Sequence, residues 1–374
     1  MNAKNRIIAL DMLRGYALVV IMVDHMPIGV LRGYTLGRFA VFDAAELFVL
    51  LSGFLVGLVW LNVERSQGRR AAQIRFLRRA VQVWLALVVG SVLMALLSRG
   101  LFEAGMNHTA IWSQYARWVV EYPIGYLVTI GTLWMQPNLI DVLALYVVML
   151  VLTPLSVPLM LRNPWIFAAG SVALWAVSVP LNEMIPNHRS EGGMLFNPFA
   201  WQMLFHSGVA MGLFRTRFMP VLRRHATPIT VVMLAIGLSM AVLSQLWRFG
   251  PDGQVLMEQI KEAIGPVDKW SLDSIRYISI IAAAWLVAVP FARPMEWLAG
   301  TWLGRSLAVI GRGGLISFVA CVMLSVLGDA LMMMDGASQF SYRLSVDIWT
   351  VVALWLVAEI AARQSRKRRV AQPG

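Results

Sequence analysis

Long apolar stretches alternate along the chain with short polar ones. A bilayer core takes about 20 mainly apolar residues per helix. Ten runs come up to that, some with polar interruptions: 7–27, 44–62, 79–98, 138–161, 165–182, 198–214, 228–247, 274–292, 306–334 and 343–362. The pattern therefore predicts an all-α polytopic membrane bundle of about ten transmembrane helices. The ninth run is long and glycine-rich, so a kink is expected in it. The stretch 111–134 is also apolar and aromatic, but it holds Arg117, Glu121, Pro123 and Gly125. It reads as an interfacial or re-entrant segment. No repeat at a fixed period is visible, and no loop is long enough for a separate soluble domain. One transmembrane domain over 1–374 is expected, closing on a basic tail at 363–374.

Composition supports this reading. Hydrophobic residues make up 59% and charged residues 14% of 374, against about 45–50% and about 25% in soluble domains. The single cysteine, Cys321, lies in an apolar run, so no disulfide framework is expected. The net charge of +12 would suggest nucleic acid in a soluble protein. In a membrane protein, Lys and Arg collect on the cytoplasmic side. With ten spans and a cytoplasmic N-terminus, 20 basic residues fall inside and 10 outside. The inside clusters are Lys4 and Arg6, Arg65 to Arg79, Arg162, Arg215 to Arg224, Arg293 and Arg305, and Arg363 to Arg369. An eleventh span would invert the later clusters, so both termini are placed in the cytoplasm. The tail then reads as a topology anchor, and no nucleic-acid partner is expected. The first run carries Asp11 and Arg14 and is followed by no small-residue cleavage site, so it is expected to stay as a helix.

With so few charges, those at helix depth stand out, because ionisable groups in a bilayer are costly. Asp11 and Arg14 are three apart, which puts them on one helix face. From Arg14 to His25 is eleven steps of about 100°, close to whole turns, and roughly 16 Å along the axis. Asp11, Arg14 and His25 therefore line one face, with Leu18 and Met22 between them. Pro27 ends or bends the helix. Two readings of Asp11 and Arg14 stand side by side: a buried ion pair that fixes the helix, or part of a site. His25 can exchange a proton near neutral pH, with Asp24 or Glu46 as the acid that orients it.

The second run opens Asp43-Ala-Ala-Glu46, again two acids on one face, expected near the same outer end as His25. Its Ser52, Gly53 and Gly57 form a small-residue strip suited to close helix packing. Gln136-Pro-Asn138-Leu-Ile-Asp141 opens the fourth span and Tyr146 follows. Asn197-Pro-Phe-Ala-Trp201-Gln202 opens the sixth. Asp43, Asn138, Asp141, Tyr146, Asn197, Trp201 and Gln202 are thus candidates to line an outer mouth. Hydrogen-bonding groups and an aromatic platform there would suit a sugar. Asn138 and Asn197 also stand where ordinary helix caps stand.

At these residues the chain resembles a known family. Leu10-Asp11-Met-Leu-Arg14-Gly15, Asp24-His25-Met-Pro27 and Phe42-Asp43-Ala-Ala-Glu46-Leu-Phe-Val-Leu-Leu-Ser52-Gly53 resemble the OpgC family. The resemblance continues through 137–146 and 196–202 and ends near Leu303-Gly304-Arg305-Ser306-Leu307. Family members are inner-membrane acyltransferases that succinylate osmoregulated periplasmic glucans. They stand among wider transmembrane acyltransferases in which an Arg, ten residues and a His recur on the first helix. The resemblance implies an O-acyltransferase of the bacterial inner membrane, with His25 catalytic and succinyl-CoA, or another acyl-CoA, as donor. It implies a periplasmic glucan as acceptor and no metal. Family members often carry Gly and Asn after His-Ile-Pro, whereas Ile28 and Gly29 follow Pro27 here. The resemblance therefore does not carry the acceptor's identity.

A cytoplasmic donor and an outside acceptor require the acyl arm to cross. Arg forks bind phosphate well. Arg69, Arg70, Arg75, Arg78 and Arg79, in the loop before the third span, with Arg305 and Arg312, are candidates to hold the nucleotide of coenzyme A. Direct transfer with His25 as general base and a covalent acyl-His relay both fit, as does acetyl in place of succinyl. A glycan transporter or flippase is the rival of a different class. It predicts inverted repeats or paired broken helices, and the lack of an evident repeat weighs against it. A homo-oligomer is compatible with the sequence.

Overall fold

The computed structural model describes residues 8–109, 113–188, 192–265, 267–334 and 339–371, and no side chains at 113–114, 261, 264 or 365–371. Of the residues used for sidedness, Lys4, Arg6, Arg189 and the side chains of Lys261, Arg366, Lys367, Arg368 and Arg369 lie outside this set. Among the described residues every regular element is helical. In chain order the helices are α1 (Ile8–Asp24), α2 (Ala44–Gln67), α3 (Arg69–Glu103), α4 (Ser113–Glu121), α5 (Pro123–Gly131), α6 (Asp141–Arg162), α7 (Pro164–Ala176) and α8 (Ser178–Glu183). They continue with α9 (Pro198–Arg224), α10 (Ala226–Gln245), α11 (Gly250–Ile264), α12 (Ser274–Ala288), α13 (Ala292–Gly300), α14 (Trp302–Gly313), α15 (Leu315–Met332) and α16 (Phe340–Ala371).

Six stretches are long and apolar enough to cross a membrane: α2, α3, α6, Ala226–Ile260, α15 and α16. The pair α12 and α13, bent by 72°, makes a seventh if it counts as one span. By this measure the ten expected spans become six or seven. The runs that fall short do so for separate reasons. α1 has only 17 residues and carries Asp11 and Arg14. α7 is apolar but has 13 residues. α9 is long, but Gln202, His206 and Arg215 dilute its apolar part. The stretch 111–134 forms α4 and α5, nine residues each, separated at Tyr122 before Pro123. Neither is long enough to cross alone.

One boundary differs from the sequence reading in a way that matters. Arg69, Arg70, Arg75, Arg78 and Arg79 are not in a loop but in the first turns of α3. Only Gly68 separates α2 from α3, at φ 85, a conformation that glycine adopts freely. Arg, Ala and Gln are good helix formers, so the helix extends past its apolar part into the polar one.

The chain folds into two compact units. The first comprises 1–35, 82–144 and 296–374, and the second 36–81 and 145–295. In the first, α1 lies against α14. A Cβ on Gly15 would overlap the Leu307 carbonyl, and one on Gly311 would overlap the Asp11 carbonyl. The expected kink in the ninth run is a break at Gly314, φ 60, between α14 and α15. In the second unit α2 lies against α9 through four glycines. Cβ atoms on Gly53 and Gly57 would strike the Phe205 and Val209 carbonyls, and on Gly208 and Gly212 those of Leu50 and Phe54. The strip read as packing on α2 is met by a matching strip on α9, which brings the backbones together as small residues do in membrane bundles.

Candidate active site

In the first unit, α1 ends at Asp24 and His25 is the next residue, exposed. Its Nδ1 lies 2.6 Å from the Ile21 carbonyl oxygen. A carbonyl only accepts, so Nδ1 carries the hydrogen and, in the neutral ring, the basic lone pair sits on Nε2. The last carbonyls of a helix lack intrahelical donors. They also give its C-terminal end a partial negative charge of about −0.5. At Nδ1 this backbone carbonyl orients the ring. The Asp24 carboxylate accepts from the Thr35 hydroxyl, at 2.6 Å.

The loop after His25 is tied down residue by residue. Met26 is fully buried with Val23, Met332 and Val346. Arg32 donates to the Pro27 carbonyl at 2.9 Å. The Leu31 amide donates to Asp347 Oδ2 at 2.9 Å. Deeper on α1, Asp11 is buried and its oxygen stands 3.6 Å from Arg312 Nε. Arg312 on α14 thus pairs with Asp11. Arg14 is half-buried three residues on. Also in this unit, Asn138 accepts from the Leu139 amide at 3.0 Å. Asp141 is buried at the start of α6 and accepts from the Val142 amide at 2.9 Å. Leu139 sits at φ 74 and Leu133 at φ 60, left-handed positions that cost energy for a branched residue.

In the second unit, Asp43 caps α2, accepting from Ala45 N at 2.8 Å, while Glu46 accepts from the Asp43 amide at 3.0 Å. This reciprocal capping box satisfies two helix-end donors. The same two acids bind two cations that the sequence reading counted only as charge. Arg276 on α12 reaches Glu46 at 2.5–2.6 Å and Asp43 at 3.4 Å. Lys269 reaches Asp43 at 2.7 Å. Glu46 is fully buried. Burial alone would raise the Asp43 carboxyl. Lys269, the hydrogen bond with Glu46 and Arg276 outweigh it and hold the group well below the usual carboxylate range. For Lys269, burial pulls down, but Asp43 outweighs it and the ammonium titrates above its ordinary value.

Trp201 does not present an aromatic platform. It is fully buried, its Nε1 donates to the Trp270 carbonyl at 3.0 Å, and Phe196 packs edge-on against it. Asn197 caps α9, accepting from the Phe199 amide at 3.0 Å, and donates to the Ser178 carbonyl. Gln202 is buried between α7 and α9, accepting from the Ser171 hydroxyl at 2.7 Å and donating to the Ser171 carbonyl. Tyr146 sits edge-on between Phe48 and Phe205. These residues hold helices together. Arg69, Arg70, Arg75 and Arg78 are exposed along the start of α3, Arg79 is half-buried, and Arg305 is exposed near the start of α14. Among the described residues no His, Cys, Asp and Glu group could hold a metal ion.

The chain matches the family profile described as OpgC protein over residues 6–366. The chain belongs to the OpgC family. The match spans nearly every helix, including the His25 end of α1 and the glycine contacts of both units. Membership makes it an acyltransferase-type enzyme, and its apolar helices make it a multi-pass membrane protein. No curated protein matches it.

Sequence reasoning missed four ionisable groups. Lys269 and Arg276 were visible only as periplasmic charge. Asp329 on α15, buried and bound by the Thr109 amide at 2.6 Å and hydroxyl at 2.8 Å, lies inside an expected span. So does Asp347. The rule applied to Asp11, that a charge at helix depth needs a reason, would have found both.

Proposed function

We propose that the protein is an inner-membrane O-acyltransferase that moves succinyl from cytoplasmic succinyl-CoA to hydroxyls of a periplasmic glucan, with His25 as general base. The observation that carries this is the Nδ1 contact to Ile21, which leaves Nε2 basic at the exposed end of α1. In the reaction, Nε2 takes the proton of an acceptor hydroxyl as its oxygen attacks the thioester carbonyl carbon. The carbon–sulfur bond breaks, and the imidazolium returns the proton to the leaving thiolate. The negative end of α1 steadies the charged ring in between.

In this reading the chain crosses ten times, through α1, α2, α3, α6, α7 with α8, α9, α10, α12 with α13, α14 with α15, and α16. Both termini are then cytoplasmic. The end of α1 faces the periplasm, and the basic start of α3 faces the cytoplasm. Arg69, Arg70, Arg75, Arg78 and Arg79, on the first turns of α3, are proposed to meet the phosphates of coenzyme A. Arg312 is assigned to Asp11 instead.

The reading is tested by incubating purified protein with glucan and a panel of acyl-CoAs, following thiol release and the mass of the glucans. Succinylated glucan formed in step with thiol release is expected. Movement of glucan across vesicles with no dependence on acyl-CoA would replace this reading with transport.

A further inference from the structure

We infer that Asp347, on α16, is a positioning residue for His25. The inference rests on the reading of His25 as base. Asp347 is fully buried, and its carboxylate faces the chain as it leaves α1. Oδ2 accepts from the Leu31 amide at 2.9 Å. Gly29 comes so near that a Cβ there would stand 2.8 Å from Oδ1. Gly29 and Leu31 are therefore both fitted to one carboxylate, four and six positions beyond His25.

The loop has no regular structure to hold it between His25 and the turn at Leu31–Tyr34. Its other anchors are of two kinds. Met26 is inserted in the apolar contact of α1 with α15 and α16, where a Cβ on Gly328 would overlap the Met26 sulfur. Thr35 returns to Asp24. Met26 fixes how deep the end of α1 sits. Asp347 alone fixes where the backbone goes after it, because only it bonds a loop amide from another helix among the described contacts. A buried carboxylate is costly in a bilayer, and holding the Leu31 amide gives it a reason to be there.

The consequence is a preset imidazole. His25 directly follows the last residue of α1, where the ring direction follows the backbone. A shift of about 1 Å at a reacting group costs about 10²-fold in rate. Loosening the loop should therefore lower kcat while leaving donor binding intact, since the donor nucleotide is read as lying at the opposite face.

The test compares Asp347→Leu, Asp347→Asn, Gly29→Ala and His25→Gln, all in full-length purified protein, each first checked for monodisperse elution. Asp347→Leu should lower kcat about 10²-fold with KM for acyl-CoA within twofold. Gly29→Ala, whose Cβ pushes the loop off the carboxylate, should do the same. Asp347→Asn keeps an oxygen that accepts the amide and should keep most of the activity. If Asp347→Leu does not fold, the Gly29→Ala and Asp347→Asn pair still decides. Full activity in Gly29→Ala, or an Asp347→Asn as dead as Asp347→Leu, would overturn the inference. His25→Gln separates the two levels. If it stays active, the base assignment fails. If it is inactive while the Asp347 and Gly29 variants are normal, only the positioning role fails.

Discussion

Spacing sets His25 eleven steps from Arg14, on the Asp11 face and beyond the apolar part of α1; its role as base is what the family resemblance implies and is proposed here. The backbone carbonyl four residues back that bonds its Nδ1 is invisible until the helix end is built. Glu46 in turn belongs to a charged cluster with Asp43, Lys269 and Arg276, assembled from residues about 230 positions apart. That cluster predicts a pH response. Asp43 is depressed, so its stabilisation is present above the ordinary carboxylate value and lost as pH falls through the lowered one. Lys269 is raised, so its contribution is present below the ordinary lysine value and lost as pH rises through the raised one. Neither Asp43 nor Lys269 therefore adds a slope to stability around neutral pH. Asp43→Asn should lower Tm at neutral pH, and the difference from wild type should shrink only on strong acidification. A difference that vanishes already in the ordinary carboxylate range would contradict the depressed Asp43.

At the scale of elements, glycine spacing was the most readable feature. Gly53 and Gly57 lie four apart and so do Gly208 and Gly212, and the structure meshes the two pairs. The boundaries were less readable, because the apolar run marks where lipid lies and not where a helix stops. α3 shows this, with its arginines continuing the helix through 69–79. Trp201 shows the converse error: an aromatic at a helix start was taken for a surface platform, but Phe196 and Trp270 close over it. Packing at the glycine strip predicts that Gly208→Leu, which must displace the Leu50 carbonyl, costs about 1–3 kcal/mol or more. Gly170→Leu on α7 meets open space and should fold normally. Melting curves of the two variants check this, and equal stability would undo the account of α2 against α9.

At the scale of the whole molecule, composition and charge asymmetry indicated a membrane bundle, and the family match agrees over 6–366. The span count was harder to read, because α1, α7 and α9 carry polar groups or are too short to pass as free-standing spans. Helices lined by partners tolerate such groups when they face the bundle interior. Sidedness is open to direct measurement because Cys321 is the single cysteine in the sequence and is buried. A cysteine placed at exposed Tyr34 should react with an impermeant maleimide added from the periplasm, and one at exposed Ser66 only after the membrane is opened. The reverse pattern would turn the molecule over and remove the periplasmic acceptor from the end of α1.

The claim on which the rest depends is that one imidazole performs the transfer. Purified His25→Gln protein that elutes like the wild type should be compared with it for transfer of labelled succinyl from succinyl-CoA to glucan. A general base contributes about 10²–10⁴-fold, so the account predicts a loss of that order with donor affinity retained. Transfer by His25→Gln at the wild-type rate would contradict it.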